Sequence, residues 1–296
     1  MKIVIFGGSG FLGSHVADHL SEKNHQVIIF DKITSPYLKA GQEMVIGNIL
    51  DQEAVRKITA GVDAVYHFAG IADIKEAAIE PINTINTNIM GTTNILEGCR
   101  KNNVKRFVFA STIYVYSEAG SFYRATKQAC ELIIESYHKQ YNIDFTILRF
   151  GSLYGPRADD SNWIHNILKQ ALNEKKITRK GDGDEIREYI HVYDAARLSE
   201  RILSEEFKNQ YVIIAGQQPV RIKDLMIMIK EMLNNEIRLE FLNEEHEAHY
   251  EITPYNFRPK LAKRIVDLNY VDLGQGILEL LHIQFDNNIK KSNRRS

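Results

Sequence analysis

The segment KIVIFGGSGFLG, residues 2–13, decides the fold. Its first half is a short apolar run rich in β-branched residues, the composition of a strand buried on both faces. Gly7, Gly10 and Gly13 follow, and Leu12, Val16 and Leu20 then recur every four residues as one apolar helix stripe. A strand that turns into a helix through three glycines assigns each a physical job. One permits a tight turn at positive φ, one lets the backbone approach a pyrophosphate at the helix N-terminus, and one lets helix and sheet pack closely. The strand–helix context makes the glycine pattern specific for a dinucleotide.

Outward from that turn, apolar runs recur at 26–30, 44–46, 64–68, 106–110 and 145–148. Helical patterns lie between them, at 52–60 with Asp51 as its cap, at 88–102 and at 122–141. Repeated strand–helix alternation predicts an α/β fold, a Rossmann-type doubly wound parallel sheet. After Arg149 the pattern loosens. A helix over 163–173, the turn-rich KGDGDE (180–185), strands at 189–192 and 211–214 and a helix over 222–233 read as a smaller C-terminal α/β substrate-binding cap. The expected division is a dinucleotide-binding domain at 1–157, with 187–215 returning to it, a cap at 158–186 and 216–286, and a flexible tail at 287–296.

Composition excludes several classes. Of 296 residues, 44% are hydrophobic and 25% charged, an ordinary globular balance. Lys plus Arg is 37 against 38 for Asp plus Glu, so no basic excess points to nucleic acid. Cys99 and Cys130 have no CxxC spacing and no histidine cluster, which predicts buried reduced thiols and no metal site. The chain enters its apolar run directly after Met-Lys, and no stretch approaches the roughly 18 apolar residues of a membrane span. The expectation is a cytoplasmic protein with no leader and no membrane partner.

Asp31 closes the second strand, 18 residues after Gly13. A carboxylate there accepts both ribose hydroxyls of NAD and repels a 2′-phosphate. Lys32 beside it would tolerate NADP, but Asp31 favours NAD. Further on, Tyr123 and Lys127 form YxxxK and share one helix face. A phenol with a pKa of about 10 is a poor base at neutral pH. Bringing it near 7 needs roughly 4 kcal/mol of preference for the phenolate, and the Lys127 ammonium and a nicotinamide cation are the available charges. Ser111 and Thr112 end a buried strand on the sheet edge where ligands bind in open α/β folds. The Thr112 hydroxyl can bond the reacting oxygen there, whereas Ser111 can equally satisfy a local turn.

At this point the chain resembles the extended short-chain dehydrogenase/reductase family, in its nucleotide-sugar epimerase/dehydratase branch. GGSGFLG (7–13), YHFAG (66–70), NIMGTTN (88–94), ASTIYVY (110–116), YRATK (123–127), LRFGSLYGPR (148–157) and IREYIHVYDAA (186–196) follow its motifs in order. The resemblance implies a Thr112–Tyr123–Lys127 triad, with Tyr123 removing a proton from a sugar hydroxyl while hydride leaves the same carbon. It implies cofactor contacts from Phe11, Leu12, Asn48, Ile49, Phe68, Ala69, Gly70, Asn88 and Ala110 in addition to the glycines, Asp31, Lys32, Tyr123 and Lys127. Asn48 stands where the family usually has an Asp facing adenine. Ser111, Thr112, Ser152, Arg187 and Arg258 are the implied substrate contacts, the two arginines suiting a diphosphate. A homodimer pairing helices 88–102 and 122–141 is implied as well.

The residues after Thr112 bear on the reaction. The family's 4,6-dehydratases carry Asp-Glu there, its decarboxylases a Glu at the second position, and its 3,5-epimerising members a Cys nearby. This chain has Ile113 and Tyr114, so elimination lacks its acid and base. The implied function is NAD-dependent epimerisation at C4 of a nucleotide diphosphate sugar. A 4-ketosugar reductase using NAD(P)H is the alternative, and a non-catalytic NAD(P) sensor is disfavoured by the intact triad. Only 11 positions separate Thr112 from Tyr123, fewer than the family usually has, which predicts an opened pocket or altered sugar contacts. His191, though tempting as a proton carrier, reads as structural.

Overall fold

The elements run in chain order as β1 (Lys2–Phe6), α1 (Phe11–Glu22), β2 (Gln26–Asp31), β3 (Glu43–Ile46), α2 (Gln52–Ile58), β4 (Ala64–His67), α3 (Ile74–Ile79), α4 (Pro81–Ile85), a π turn (Asn86–Met90), α5 (Gly91–Lys101), β5 (Arg106–Thr112), a 3-10 turn (Ile113–Tyr116), α6 (Ser121–Tyr141) and β6 (Asp144–Phe150). There follow β7 (Ser152–Tyr154), α7 (Trp163–Glu174), β8 (Lys176–Lys180), β9 (Ile186–His191), α8 (Val192–Arg201), β10 (Gln210–Ile214), β11 (Pro219–Arg221), α9 (Ile222–Met232), β12 (Arg238–Leu242), β13 (Lys263–Arg264) and α10 (Leu273–Asn293). This computed structural model describes residues 1–242, 263–264 and 270–293.

The described residues form two compact units. The first holds Met1–Phe150, Ala195–Ile214 and β13. Its sheet has the order β13-β10-β6-β5-β4-β1-β2-β3, and every pairing is parallel. Ile3, Val4, Ile5 and Phe6 are all fully buried, which is why β1 shows no polar alternation. β1 pairs with β2 on one side and β4 on the other. The chain therefore winds away from β1 in both directions, which puts the topological switch point, where open α/β sheets bind ligands, at the carboxyl ends of β1 and β4.

One face of the sheet carries Val4, Phe6, Phe30, Val65, Phe107, Phe109 and Ile147 in a single core with Ile95, Leu96 and Cys99 of α5 and Cys130 and Ile134 of α6. Both thiols are free and buried, as their spacing implies, and burial pushes each above its ordinary range. Asp51 caps α2, its Oδ1 accepting the N–H groups of Glu53 and Ala54 at 3.0 Å. The helix expected over 88–102 begins earlier and in three pieces. Pro81 opens α4 with its φ preset for a first turn, and the π turn inserts one residue before α5.

The second unit holds Gly151–Asp194 and the described parts of 215–253 and 266–296. It has a three-stranded sheet, β11-β9-β7, and a parallel pair, β12-β8. Its core joins Ile164, Ile167 and Leu168 of α7, Leu225, Met226 and Ile229 of α9, and Ile277, Leu280 and Leu281 of α10. Two expected boundaries move. The first unit ends at Phe150 rather than at 157, because β7 pairs with β9 inside the second unit. For the same reason 187–194 belongs to the second unit, so that within 187–215 the returning part is Ala195–Ile214, and β13 returns as well. The expected flexible tail from 287 is helical as far as Asn293.

Replacing Asp51 by Ala removes two accepted bonds from α2 and should cost about 1 kcal/mol, read as a lower urea midpoint at unchanged m.

Candidate active site

The site begins at the turn after β1. Gly7 has φ +82°, and a Cβ there would lie 2.5 Å from the Ala69 nitrogen. A Cβ on Gly13 would lie 2.2 Å from the Gly7 carbonyl oxygen. Neither position admits a side chain, so the backbone of the turn is stripped bare where the crevice opens. Gly10 is the extended N-cap of α1 with no side-chain cap, and no acidic residue occupies the first turn through Phe11, Leu12 and Gly13. The positive end of α1 is thus left for an anion.

Asp31 lies at the end of β2 with Oδ2 accepting the Ser9 N–H at 3.0 Å. The Ser9 hydroxyl donates to the Ile33 carbonyl at 3.0 Å, so the glycine turn and the acidic loop are locked together. Lys32 is exposed. Asn48 turns its Oδ1 onto the Leu50 N–H at 2.9 Å. Ile49 is buried against Gly91. Phe68 and Ala69 both donate their N–H groups to the Phe6 carbonyl, at 2.8 and 2.9 Å, and this wraps the end of β4 over β1. The uncapped helix end and the Asp31 carboxylate fit a dinucleotide.

Asn88 has a different place from the one expected. Its Oδ1 accepts the Ile71 N–H at 2.8 Å, and its Nδ2 donates to the Ile71 carbonyl and to Thr126 Oγ1, both at 3.0 Å. The side chain is 3% exposed. It clamps the segment after Gly70 onto α6 instead of facing a cofactor.

Thr112, Tyr123 and Lys127 come together at the carboxyl end of β5. Lys127 is buried, and its Nζ donates to the Ala110 carbonyl at 2.8 Å. The ammonium stands 4.7 Å from the Phe109 ring centre and 5.9 Å from that of Tyr123. Thr112 Oγ1 accepts the Tyr114 N–H at 3.2 Å and hydrogen-bonds the Tyr123 phenol. Tyr114 lies edge-on to Tyr123 at 6.4 Å.

Burial dominates the electrostatics. It pushes Tyr123 up to about 12, with the Thr112 hydrogen bond pulling the other way. It pushes Lys127 down to about 8, opposed by Cys130 and Glu131. Of the two positive charges expected to favour the phenolate, Lys127 and a nicotinamide cation, Lys127 is not among the groups that shift Tyr123 here. A dry site penalises the phenolate and the ammonium alike, so further positive charge must enter with the cofactor.

Ser111 is also corrected. Its hydroxyl donates to Glu131 Oε1 at 2.6 Å inside the protein, where it is 3% exposed, so it is not presented to substrate. Glu131 in turn pairs with Arg149. Sequence reasoning passed over Glu131 and Arg149. The available signal was spacing, since Tyr123, Lys127 and Glu131 recur every four residues on α6. In the second unit Ser152 is half-buried on β7, and Arg187 is buried on β9 with Nη1 donating to the Ile186 carbonyl at 2.9 Å. Arg258 lies outside the described residues. His191 is packed between the rings of Tyr154 and Tyr193 at 5.0 and 4.7 Å. Burial pushes it down to about 4, as a structural histidine requires. Among the described residues no His/Cys/Asp/Glu group could hold a metal, and no helix is long and apolar enough to cross a membrane.

Known proteins resemble this chain in sequence and fold. The sequence model of the NAD dependent epimerase/dehydratase family matches residues 3–215. A protein of Methanocaldococcus jannaschii assigned as a UDP-glucose 4-epimerase is 30% identical over 249 residues, 77% of this chain and 81% of its own. A UDP-N-acetyl-alpha-D-glucosaminuronate decarboxylase of Bacillus cytotoxicus is 28% identical over 265 residues, 80% of this chain and 82% of its own. Among solved structures, the UDP-N-acetylglucosamine 4-epimerase of Methanobrevibacter ruminantium superposes with a TM-score of 0.84 at 25% identity, covering 97% of this chain and 98% of that one.

The Lys127 shift has a consequence for stability. Below pH 8 the ammonium is charged in both the folded and the unfolded chain, and its burial cost is fully present. Between pH 8 and 10 the folded chain has released that proton while the unfolded chain, with an ordinary lysine, keeps it, so stability climbs with pH. The stability of the native sequence minus that of Lys127→Met should rise by roughly 2–3 kcal/mol from pH 7 to pH 10, measured by urea unfolding across that range. Tyr123 titrates in both proteins and cancels.

Proposed function

The chain belongs to the NAD dependent epimerase/dehydratase family, and we propose that within it this protein is an NAD-dependent UDP-sugar epimerase acting at C4. The observation that carries the reading is the meeting of Thr112, Tyr123 and Lys127 at the sheet edge that also holds the bare glycine turn, with Ile113 and Tyr114 where an acid–base pair would stand. The cofactor would lie with its pyrophosphate on the opening N–H groups of α1, its adenosine ribose on Asp31, its adenine near Asn48 and Ile49, and its nicotinamide ribose on Lys127 and Tyr123. When bound it supplies a hydride acceptor and donor. Tyr123 takes the proton of the C4 hydroxyl, and Thr112 holds the same oxygen. Lys127 contributes charge that favours the phenolate. After the 4-keto sugar turns its other face, Tyr123 returns the proton.

The second unit is assigned as the sugar-nucleotide cap, with Ser152 and Arg187 as its candidate contacts to the diphosphate. A homodimer through the helices of 81–101 and 121–141 is supported by exposed Ile82, Met90 and Leu132, at 75%, 45% and 55% exposure. The two buried free thiols are consistent with a reducing, cytoplasmic setting. Asp31, anchored by Ser9, supports NAD over NADP.

The test is incubation with UDP-glucose deuterated at C4, followed by NMR. Conversion to UDP-galactose with retention of the deuterium is the expected result. Denatured protein should release stoichiometric NAD, whereas turnover of a 4-keto sugar only with added NADPH would make the protein a reductase. Tyr123→Phe should lower turnover roughly 10²–10⁴-fold and leave cofactor binding intact. Gly13→Ala should lose NAD binding in calorimetry, because its methyl meets the Gly7 carbonyl.

A further inference from the structure

A buried ion pair stands behind the catalytic groups, and the two flanks of Thr112 both end on it. Glu131 lies on α6 four positions beyond Lys127, on the face that carries Tyr123. Its Oε1 accepts the Ser111 hydroxyl at 2.6 Å and the Arg149 Nε–H at 3.0 Å, and its Oε2 accepts Arg149 Nη2 at 2.6 Å. The third edge of the guanidinium reaches the other way, Nη1 donating to the Tyr116 hydroxyl. The guanidinium carbon stands 4.7 Å from the Tyr116 ring centre and 4.5 Å from that of Tyr211. Arg149 and Glu131 are 2% and 5% exposed. Ser111 immediately precedes Thr112 and Tyr116 follows it by four residues, so one guanidinium–carboxylate pair grips the chain on both sides of the residue that must touch the phenol.

The short span makes this grip matter. The chain leaves β5 at Thr112 and re-enters helix at Ser121. Between them, α6 side chains bond the span through Gln128 Nε2 to the Val115 carbonyl at 2.9 Å and Arg124 Nη1 to the Ser117 carbonyl at 2.7 Å. Those bonds hold the chain at Val115 and Ser117, on either side of Tyr116, while Ser111 and Tyr116 are the two points that tie the neighbourhood of Thr112 to the ion pair. A buried ion pair is a weak source of stability, and an apolar pair of similar volume often serves a core as well. A planar fork that bonds a carboxylate through two edges and a phenol through the third is something lysine cannot reproduce.

We propose that Arg149, with Glu131 and Tyr116 as its two arms, is the positioning residue that holds Thr112 against Tyr123 for proton transfer. The proposal rests on the reading of Tyr123 as the acid–base group, and its test separates the two. Tyr116→Phe keeps the ring and removes one hydroxyl. It should lower kcat about tenfold on the cofactor-loaded protein, with KM within twofold. Arg149→Lys should do the same. Tyr137→Phe is the matched control, since that hydroxyl bonds Glu97 away from the pair, and it should leave kcat unchanged. A second readout needs no turnover. In protein labelled with 13C at tyrosine Cζ, with Tyr123 assigned by Tyr123→Phe, the Tyr123 resonance should move in Tyr116→Phe in the direction that Thr112→Val moves it. An unshifted resonance in Tyr116→Phe, or in Thr112→Val itself, overturns the tether, as does wild-type kcat in Tyr116→Phe. If the native protein turns over no UDP-sugar, the functional reading has failed and the resonance alone decides the tether.

Discussion

Three stretches of bare backbone meet around Gly7, and the rest of the site depends on that meeting. The Gly7 carbonyl lies under Gly13, and the Gly7 α-carbon lies against Ala69. The Phe6 carbonyl takes both N–H groups at the end of β4. Any side chain wedged there would push α1 off the sheet and part β1 from β4. The positive end of α1, the Asp31 loop held through Ser9, and the segment after Gly70 held by Asn88 all take their positions from this contact. The hydrophobic strands drive the sheet together, but glycine alone lets it close at the switch point.

The chemistry pulls against that closure. A packed crevice raises the cost of every charge in it, and the triad needs two charges of opposite sign to appear in concert. Lys127 answers with a main-chain carbonyl, an aromatic face and the field of Glu131. Among the described residues, the Thr112 hydrogen bond is what opposes the burial of Tyr123.

Strands β1 to β6 and β10 of the first unit were legible because each carries an apolar run, whereas β13, Lys263–Arg264, was not; the triad was legible because strand-end threonine, tyrosine and lysine fall at the right edge. Short strands such as β7, β8 and β11 were not, since three to five residues of mixed polarity carry no period of their own. This is why the boundary at Phe150 moved. Asn88 and Ser111 were placed on the correct segments but facing the wrong way. A π turn decides the first and a buried carboxylate 20 residues away captures the second, and neither leaves a mark in a linear pattern. Glu131 and Arg149 matched family motifs and α6 spacing, but their pairing needed three dimensions.

The bond from the Ser9 N–H to Asp31 bears on how cofactor preference could be altered. One carboxylate oxygen serves the glycine turn, so removing the acid to admit a 2′-phosphate also strips an acceptor from the turn that cradles the pyrophosphate. Changing Lys32 or neighbouring surface residues leaves that double duty untouched. A redesign toward the phosphorylated dinucleotide has to provide a neutral acceptor for Ser9 first, and only then a cation for the extra phosphate.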